Sequence, residues 1–206
     1  MSVVDSIAAL EAIYGSAESL APASIVKVAD HVAPGYRRLI EASPFCALST
    51  VGPEGLDCSP RGDRPGFVRV QDAHTLILPD RRGNNRIDSL KNVVRDPRVA
   101  LLFLIPGSGN AVRVNGRAHV TADPDLLASF AVDDKAPRTA LVIRVVEIYF
   151  QCARAVIRSR LWDVDAQVDP KTLPSAGEIL AALTAGDVGG SEYDRTWRTR
   201  ADATLW

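Results

Sequence analysis

The chain is poor in the side chains that build metal centres and covalent scaffolds. Its 206 residues hold three cysteines, three histidines and one methionine, and aromatic residues make up 6%. Cys46, Cys58 and Cys152 form no CxxC pair and cannot all pair within the chain, which argues against a disulfide scaffold or a cysteine zinc site. Reduced thiols and a cytoplasmic location are the expectation. His31, His74 and His119 fall in separate segments without paired ligand spacing, so no metal site is expected. The longest apolar run, Val99 to Ile105, is far short of the roughly 20 residues of a membrane helix. Residues 1–15 carry Asp5 and Glu11 and no basic residue, unlike the start of a secretory signal. An excess of one charge is also missing: 24 basic residues face 25 acidic ones, a net charge of −1. That balance disfavours nucleic acid or a membrane surface as partner. GxxxxGK[ST], GxGxxG, GxSxG and HExxH are all absent, which removes the common nucleotide, serine-hydrolase and zinc-protease motifs. No internal repeat or low-complexity segment occurs.

What is present is an ordinary globular composition. Hydrophobic residues are 47% and charged residues 24%, enough for one core or at most two small domains. The basic residues are 20 Arg and only 4 Lys. Arginine is the better fork for phosphate and carboxylate; a GC-rich genome accounts for the same bias. Their placement says more. Residues 61–98 have a local net charge of +4, and residues 163–194 a net of −6. A neutral chain with a basic centre suits a small anionic ligand.

Periodicity divides the chain. Ile7, Leu10 and Ile13 repeat at helical spacing, as do Tyr36, Leu39 and Ile40, with Pro34-Gly35 before and Pro44 after the second set. Strands are expected over Phe45–Val51 and Leu56–Pro60 around a Gly52–Gly55 turn. A hairpin is expected from Gly66–Gln71 and Thr75–Leu78. Asn84 to Arg95 reads as a helix with Asn84 or Asn85 as N-cap. Val99–Ile105, Val112–Thr121 and Thr139–Phe150 read as strands, the last apolar on both sides through Val142, Val146 and Ile148. Short helices are expected from Asp123-Pro124 to Phe130, near Ala153–Ile157 and near Ala176–Leu183, before a polar, aromatic tail. One helix inserted among six or seven strands argues against a parallel sheet. It fits a mainly β, α+β fold: a closed or half-open antiparallel barrel with helices outside. The expected organisation is a helical extension over 1–34, a barrel domain over 35–163, and a helix and tail over 164–206 packed on the barrel or on a second copy.

Three segments carry candidate chemistry. Leu78-Pro79-Asp80-Arg81-Arg82-Gly83-Asn84-Asn85-Arg86-Ile87-Asp88-Ser89-Leu90 is a strand end, a glycine loop and a helix start. Free N–H groups and the positive end of a helix dipole suit an anion there. Arg86 in the first turn opposes that dipole, a cost a bound phosphate would offset. Spacing alone leaves a solvated basic turn open. Cys58-Ser59-Pro60-Arg61-Gly62-Asp63-Arg64-Pro65-Gly66-Phe67 leaves a strand with irregular backbone, a seat for a planar heterocycle or a plain surface loop. Phe150 to Asp163 sets three arginines after an aromatic strand end, either flanking a ligand or subunit interface or making helix salt bridges. Cys152 beside Arg154 is a reactive thiol or an inert buried one.

Five runs follow one another in order: Pro44–Thr50, Gly55–Asp63, Leu78–Leu90, Asp96–Phe103 and Val112–Ala118. Over residues 35–163 the chain resembles the FMN-binding split-barrel family of pyridoxamine 5'-phosphate oxidase, in particular its branch of unassigned FMN-dependent enzymes. The resemblance implies a six- or seven-stranded antiparallel split barrel and a homodimer with FMN in clefts between subunits. It implies that Ser59, Pro60, Arg61, Gly62 and Asp63 line the flavin ring and ribityl chain. Pro79 and Asp80 match further flavin contacts, and Asn84, Asn85 and Arg86 match a Ser-Arg-Lys run that grips the phosphate. Arg113 lies near a glutamine flavin contact whose own position falls on Ala111. Two basic phosphate ligands become Asn85 and Arg86, with Arg61 or Arg82 available for the missing charge. No Arg–His pair follows Trp162, so pyridoxamine phosphate is not the expected substrate. The implied activity is an FMN-dependent oxidoreductase moving a hydride at flavin N5 on an unidentified small molecule, possible donors including a nicotinamide. The alternatives are a non-catalytic flavin-binding or regulatory module, and the same barrel holding haem or a deazaflavin.

Overall fold

Alternation of side chains decides which face of each strand is buried. In β1, Phe45–Gly52, residues Cys46, Leu48 and Thr50 point inward. In β5, Arg98–Leu104, the inward set is Val99, Leu101 and Phe103. The structure is a computed structural model that describes residues 2–16 and 20–205. Among these, seven strands form one antiparallel sheet: β1, β2 (Gly55–Gly62), β3 (Arg69–Val70), β4 (Thr75–Asp80), β5, β6 (Ala111–Thr121) and β7 (Thr139–Gln151). Their spatial order is β2-β1-β5-β6-β7-β4-β3. The sheet is not closed, and β2 and β3 are its edges. The core lies on its inner face, where Ile40, Leu48, Leu76, Phe103, Val114 and Ile143 are fully buried.

The helices flank this sheet. They are α1 (Ile7–Tyr14), α2 (Pro22–Val26), α3 (Pro34–Ala42), α4 (Asp88–Arg95), α5 (Pro124–Ala128), α6 (Arg154–Ser159), α7 (Ala176–Leu183) and α8 (Gly190–Asp202). Ser6 caps α1 through Ala9 N, and Asp123 caps α5 through Leu126 N. The segment before α3 is stitched to β7 by paired backbone bonds between Ala29 and Ile148 at 2.8 and 3.0 Å. Between α4 and β1, Asn92 Nδ2 donates to the buried Thr50 Oγ1 at 3.1 Å.

Several expectations change. The helix expected from Asn84 starts at Asp88, with neither asparagine as its N-cap. Asn84 Oδ1 instead accepts from Arg86 N at 3.1 Å, and Asn85 (φ 59°) and Ile87 (φ 52°) turn left-handed, which no α-helix accommodates. The polar tail is the helix α8, docked on α7 where Asp194 accepts from Ser175 Oγ and Gly177 N at 2.5 and 2.8 Å. The strand expected from Gly66 shortens to Arg69–Val70.

β7 is not apolar on both sides throughout. A bulge sets Asn115 opposite Glu147 and Gly116 opposite Val145, leaving Val146 unpaired. Val146 is therefore 54% exposed, and Ile148 returns to the core face already occupied by Ile143 and Val145. Gly116 permits the close approach: a Cβ there would sit 2.6 Å from Arg144 O.

Candidate functional site

β2 and β4 stand near opposite ends of the strand order, yet both line one cleft of about 1040 Å³. The sheet therefore curls until its two halves face each other, and the cleft is the gap between them. One ion pair closes its base. Arg81 Nε, beyond the end of β4, donates to Asp63 Oδ2, beyond the end of β2, at 2.7 Å, and both side chains are largely buried. Arg81 Nη1 also donates to Phe130 O at 2.8 Å.

β2 contributes one face to the cleft. Period-two alternation puts Asp57, Ser59 and Arg61 on the same side. Ser89 Oγ, in the first turn of α4, donates to Asp57 Oδ2 at 2.7 Å. Ser59 Oγ donates to the same oxygen at 3.3 Å. Further along, Arg61 donates to Pro60 O at 2.9 Å and lies near Asp80. Burial pushes the Asp80 carboxyl above its ordinary value, and the Arg61 charge opposes that rise. Burial also pushes the Cys46 thiol up to about 12, with Arg61 again opposing. Cys46 is thus a core residue. Thr139, the cross-strand partner of Asp80, has a buried Oγ1 without a hydrogen-bond partner.

The loop between β4 and α4 forms the basic wall. Arg82, Asn84, Asn85 and Arg86 line the cleft. Arg86 Nε reaches Asp88 Oδ2 at 2.9 Å, and its carbonyl accepts from Lys91 Nζ at 3.1 Å. Among the described residues, Arg82, Lys135 and Arg138 have no ion-pair partner although all three line the cleft. A left-handed β-branched residue such as Ile87 costs on the order of 1–3 kcal/mol. The loop is therefore held against local preference, at the mouth of α4.

Of the twelve residues expected from the sequence, ten line this cleft: Ser59, Pro60, Arg61, Gly62, Pro79, Asp80, Arg82, Asn84, Asn85 and Arg86. Two lie elsewhere within the chain. Asp63 is in the ion pair beneath the cleft. Arg113 lines a separate groove of about 810 Å³ on the outer face of the sheet, with Leu102, Ala111, Cys152 and α6. Cys152 is exposed there rather than buried. Sequence reasoning included Ser89 in a candidate segment without giving it a role, and missed Asp57, the 135–138 segment and Ala203. Asp57 was legible, standing two places before Ser59 on a strand. The 135–138 segment, between α5 and β7, carries no such signal. None of the three histidines lines the cleft.

Residues 33–152 match the family model described as Pyridoxamine 5'-phosphate oxidase, well over half of the chain. The chain belongs to that family. The match begins just before α3 and ends just after β7, so the sheet and every cleft-lining residue except Ala203 lie within the family domain. α6, α7 and α8 lie outside it. No curated protein matches the chain. Among solved structures, it is similar to a putative pyridoxamine 5'-phosphate oxidase from Lactobacillus delbrueckii, at 21% identity over 59% of this chain and 95% of that one, with a TM-score of 0.48. It is also similar to an H111A variant of HupZ from Group A Streptococcus, at 16% identity over 58% and 99% of the two chains, TM-score 0.48. A third is a FAD-binding protein from Mesorhizobium loti, at 16% identity over 55% and 87%, TM-score 0.40.

Proposed function

We propose that this member of the pyridoxamine 5'-phosphate oxidase family is an FMN-dependent oxidoreductase acting on a small molecule. The observation that carries the reading is the cleft in the split of the sheet, whose walls supply cations without a carboxylate partner among the described residues, Arg82, Lys135 and Arg138, together with the half-buried Asp80.

The residues fit a phosphorylated flavin. Arg82, Lys135 and Arg138 have no carboxylate partner among the described residues, and a dianionic phosphate would supply the missing charge. Asn84, Asn85 and Arg86 add donors beside the open N-terminus of α4. Pro60, Gly62 and Pro79 offer little side-chain bulk, as a flat ring requires.

Bound there, FMN supplies hydride transfer at its N5 atom. The chain does the rest. Arg61 holds a fixed positive charge inside the cleft, facing Asp80. Burial makes Asp80 hold its proton to a higher pH than an exposed aspartate does. The Arg81–Asp63 pair keeps the two walls in register. The substrate enters from the open side, with a nicotinamide among the possible electron donors.

The same reading includes a homodimer. Ala100, Leu102 and Leu104 form the outer face of β5, and Leu102 is 38% exposed. With the groove under α6 this makes an apolar surface suited to a second copy. In such a dimer Arg113 would meet the partner rather than its own cleft.

An absorption spectrum of freshly purified protein tests the cofactor, repeated on the supernatant after denaturation. Two flavin bands and released FMN are expected. A colourless protein that also ignores added FMN would overturn the reading.

A further inference from the structure

The arm that carries α1 and α2 leaves its apolar side chains in water. Among its described residues up to Val26 none is buried, and only Ala9 is half-buried. Ile7, Ile13 and Tyr14 are 71%, 63% and 79% exposed. An α-helix turns by about 100° per residue, so Ile13, Leu10, Tyr14 and Ile7 share one stripe of α1, with Glu11 at its edge. Eight residues make a helix too short to persist alone in water. Such a stripe needs a surface to lie against.

The root of the arm is fixed. Tyr36 Oη donates to Lys27 O, Lys27 Nζ lies 5.1 Å from the centre of the Phe150 ring, and Ala29 pairs with Ile148. Phe150 immediately precedes Gln151, which lines the groove under α6. The arm therefore leaves the sheet beside an open groove, and no arm residue lines that groove.

Arm and groove match in polarity and in charge. Leu102, Leu104, Val156 and Leu161 give the groove an apolar lining, and Arg113, Arg154 and Arg158 line it with no acidic residue. None of these three arginines has a carboxylate partner among the described residues, whereas the neighbouring Arg160 is paired with Asp163 at 2.8 Å. Residues 2–26 hold Asp5, Glu11 and Glu18 and no basic side chain. Opposite charges steer such a pair of surfaces together. A bilayer with anionic headgroups would repel the same arm.

We infer that α1 of a second copy of this chain fills the groove under α6, with its apolar stripe inward and Glu11 toward the groove arginines, so that the two copies exchange arms. The inference rests on the proposed homodimer and names the segment of the second copy that covers the outer face. Each copy presents one arm and one groove, so a closed two-fold pair satisfies both at once. An arm folded into its own groove would instead hide the apolar surface that the homodimer uses.

Sedimentation velocity over a dilution series of the full chain gives the dimer dissociation constant. Ile7→Gln combined with Leu10→Gln keeps good helix formers on α1 and removes its stripe. This pair should raise the constant by at least about tenfold. Because α1 buries nothing in its own chain, the pair leaves the fold intact. Glu11→Arg should raise the constant as well, and Arg154→Glu with Arg158→Glu should restore association to the Glu11→Arg protein. Cys152, exposed in the groove, reports where α1 lies. Leu10→Cys or Tyr14→Cys in a Cys58→Ser background, treated with oxidised glutathione as the electron acceptor, should give a disulfide-linked dimer on a non-reducing gel. That band should be absent without the added cysteine and absent in Cys152→Ser.

A wild-type dimer whose dissociation constant moves by less than about twofold in the Ile7→Gln, Leu10→Gln protein overturns the arm exchange and leaves the homodimer reading intact. A disulfide formed within one chain also overturns it, since α1 then occupies its own groove. Binding to neutral phosphatidylcholine vesicles that the same pair abolishes, with the dimer unchanged, overturns it by assigning the stripe to a bilayer. A wild-type chain that stays monomeric at every concentration overturns both the exchange and the homodimer.

Discussion

At the scale of single residues, two positions carry more than their side-chain chemistry suggests. Gly116 sits at the β6–β7 bulge, where a methyl group would meet a backbone carbonyl that cannot swing away. Gly116→Ala should cost about 1–3 kcal/mol through overpacking, seen as a lower urea midpoint with an unchanged slope. Asp80 is the second. A carboxyl raised in the folded protein makes the folded state hold its proton more tightly than the unfolded chain. The stability this gives is fully present below the ordinary value of 3.8 and is lost as pH rises through the raised value. Asp80→Asn removes that loss. Urea midpoints measured across the acid range should converge for the two proteins at low pH, with the variant at least as stable at neutral pH. A variant that loses stability only at neutral pH would mean that the ionised form is the one the fold stabilises.

At the scale of elements, the two ends of the cleft are held by different means. Its base depends on the Arg81–Asp63 pair, with side chains 16% and 3% exposed. Removing one partner of a buried pair leaves the other charge unpaired, at a cost of about 3–5 kcal/mol. Asp63→Ala should therefore lower stability sharply even though Asp63 lines no part of the cleft. Replacing both residues with apolar ones of similar size should recover much of it, a comparison that thermal melts of the single and double variants would make. The phosphate end depends on the loop before α4. Arg86→Ala combined with Asn85→Ala should yield colourless protein with a slightly lowered melting temperature, because both side chains are exposed but alanine fits the left-handed backbone at 85 less well than asparagine. Full retention of FMN would remove these two residues from the phosphate grip. The sequence was legible here in part. Pro79, Asn84 and Arg86 were readable as a strand end followed by a loop, but the start of α4 was displaced by four residues. Two left-handed residues, neither of them glycine, make that displacement, and a propensity-based reading assigns them to the helix.

At the scale of the whole molecule, the sheet has two exposed consequences. Its split makes the cleft, and its outer face leaves Leu102 and the groove under α6 open. The proposed homodimer would cover that face. Sedimentation at low concentration should give twice the 22.1 kDa chain mass. A persistent monomer would remove the second copy from the picture and leave Arg113 facing solvent. The same outer face explains why Val99–Ile105 reads as a wholly buried strand although only alternate residues are buried by its own chain. Apolar composition on both faces is what a strand needs whether the second face meets a helix or another subunit.

The amino-acid sequence by itself determined the strands, most of the helices, and ten of the residues that line the cleft. Those depend on local period, on turn residues such as Gly52–Gly55, and on short runs of side chains that bear the resemblance to the family. Tertiary structure decided the rest. Whether Asp57 meets Ser89, 32 positions away, depends on how β2 and α4 pack. Whether Lys135 and Arg138 reach the cleft depends on the path between α5 and β7. Arg113 was placed near the flavin by resemblance, but strand alternation turns it to the outer face. Contacts between distant segments are set by the curl of the sheet, and that curl is a property of all seven strands together.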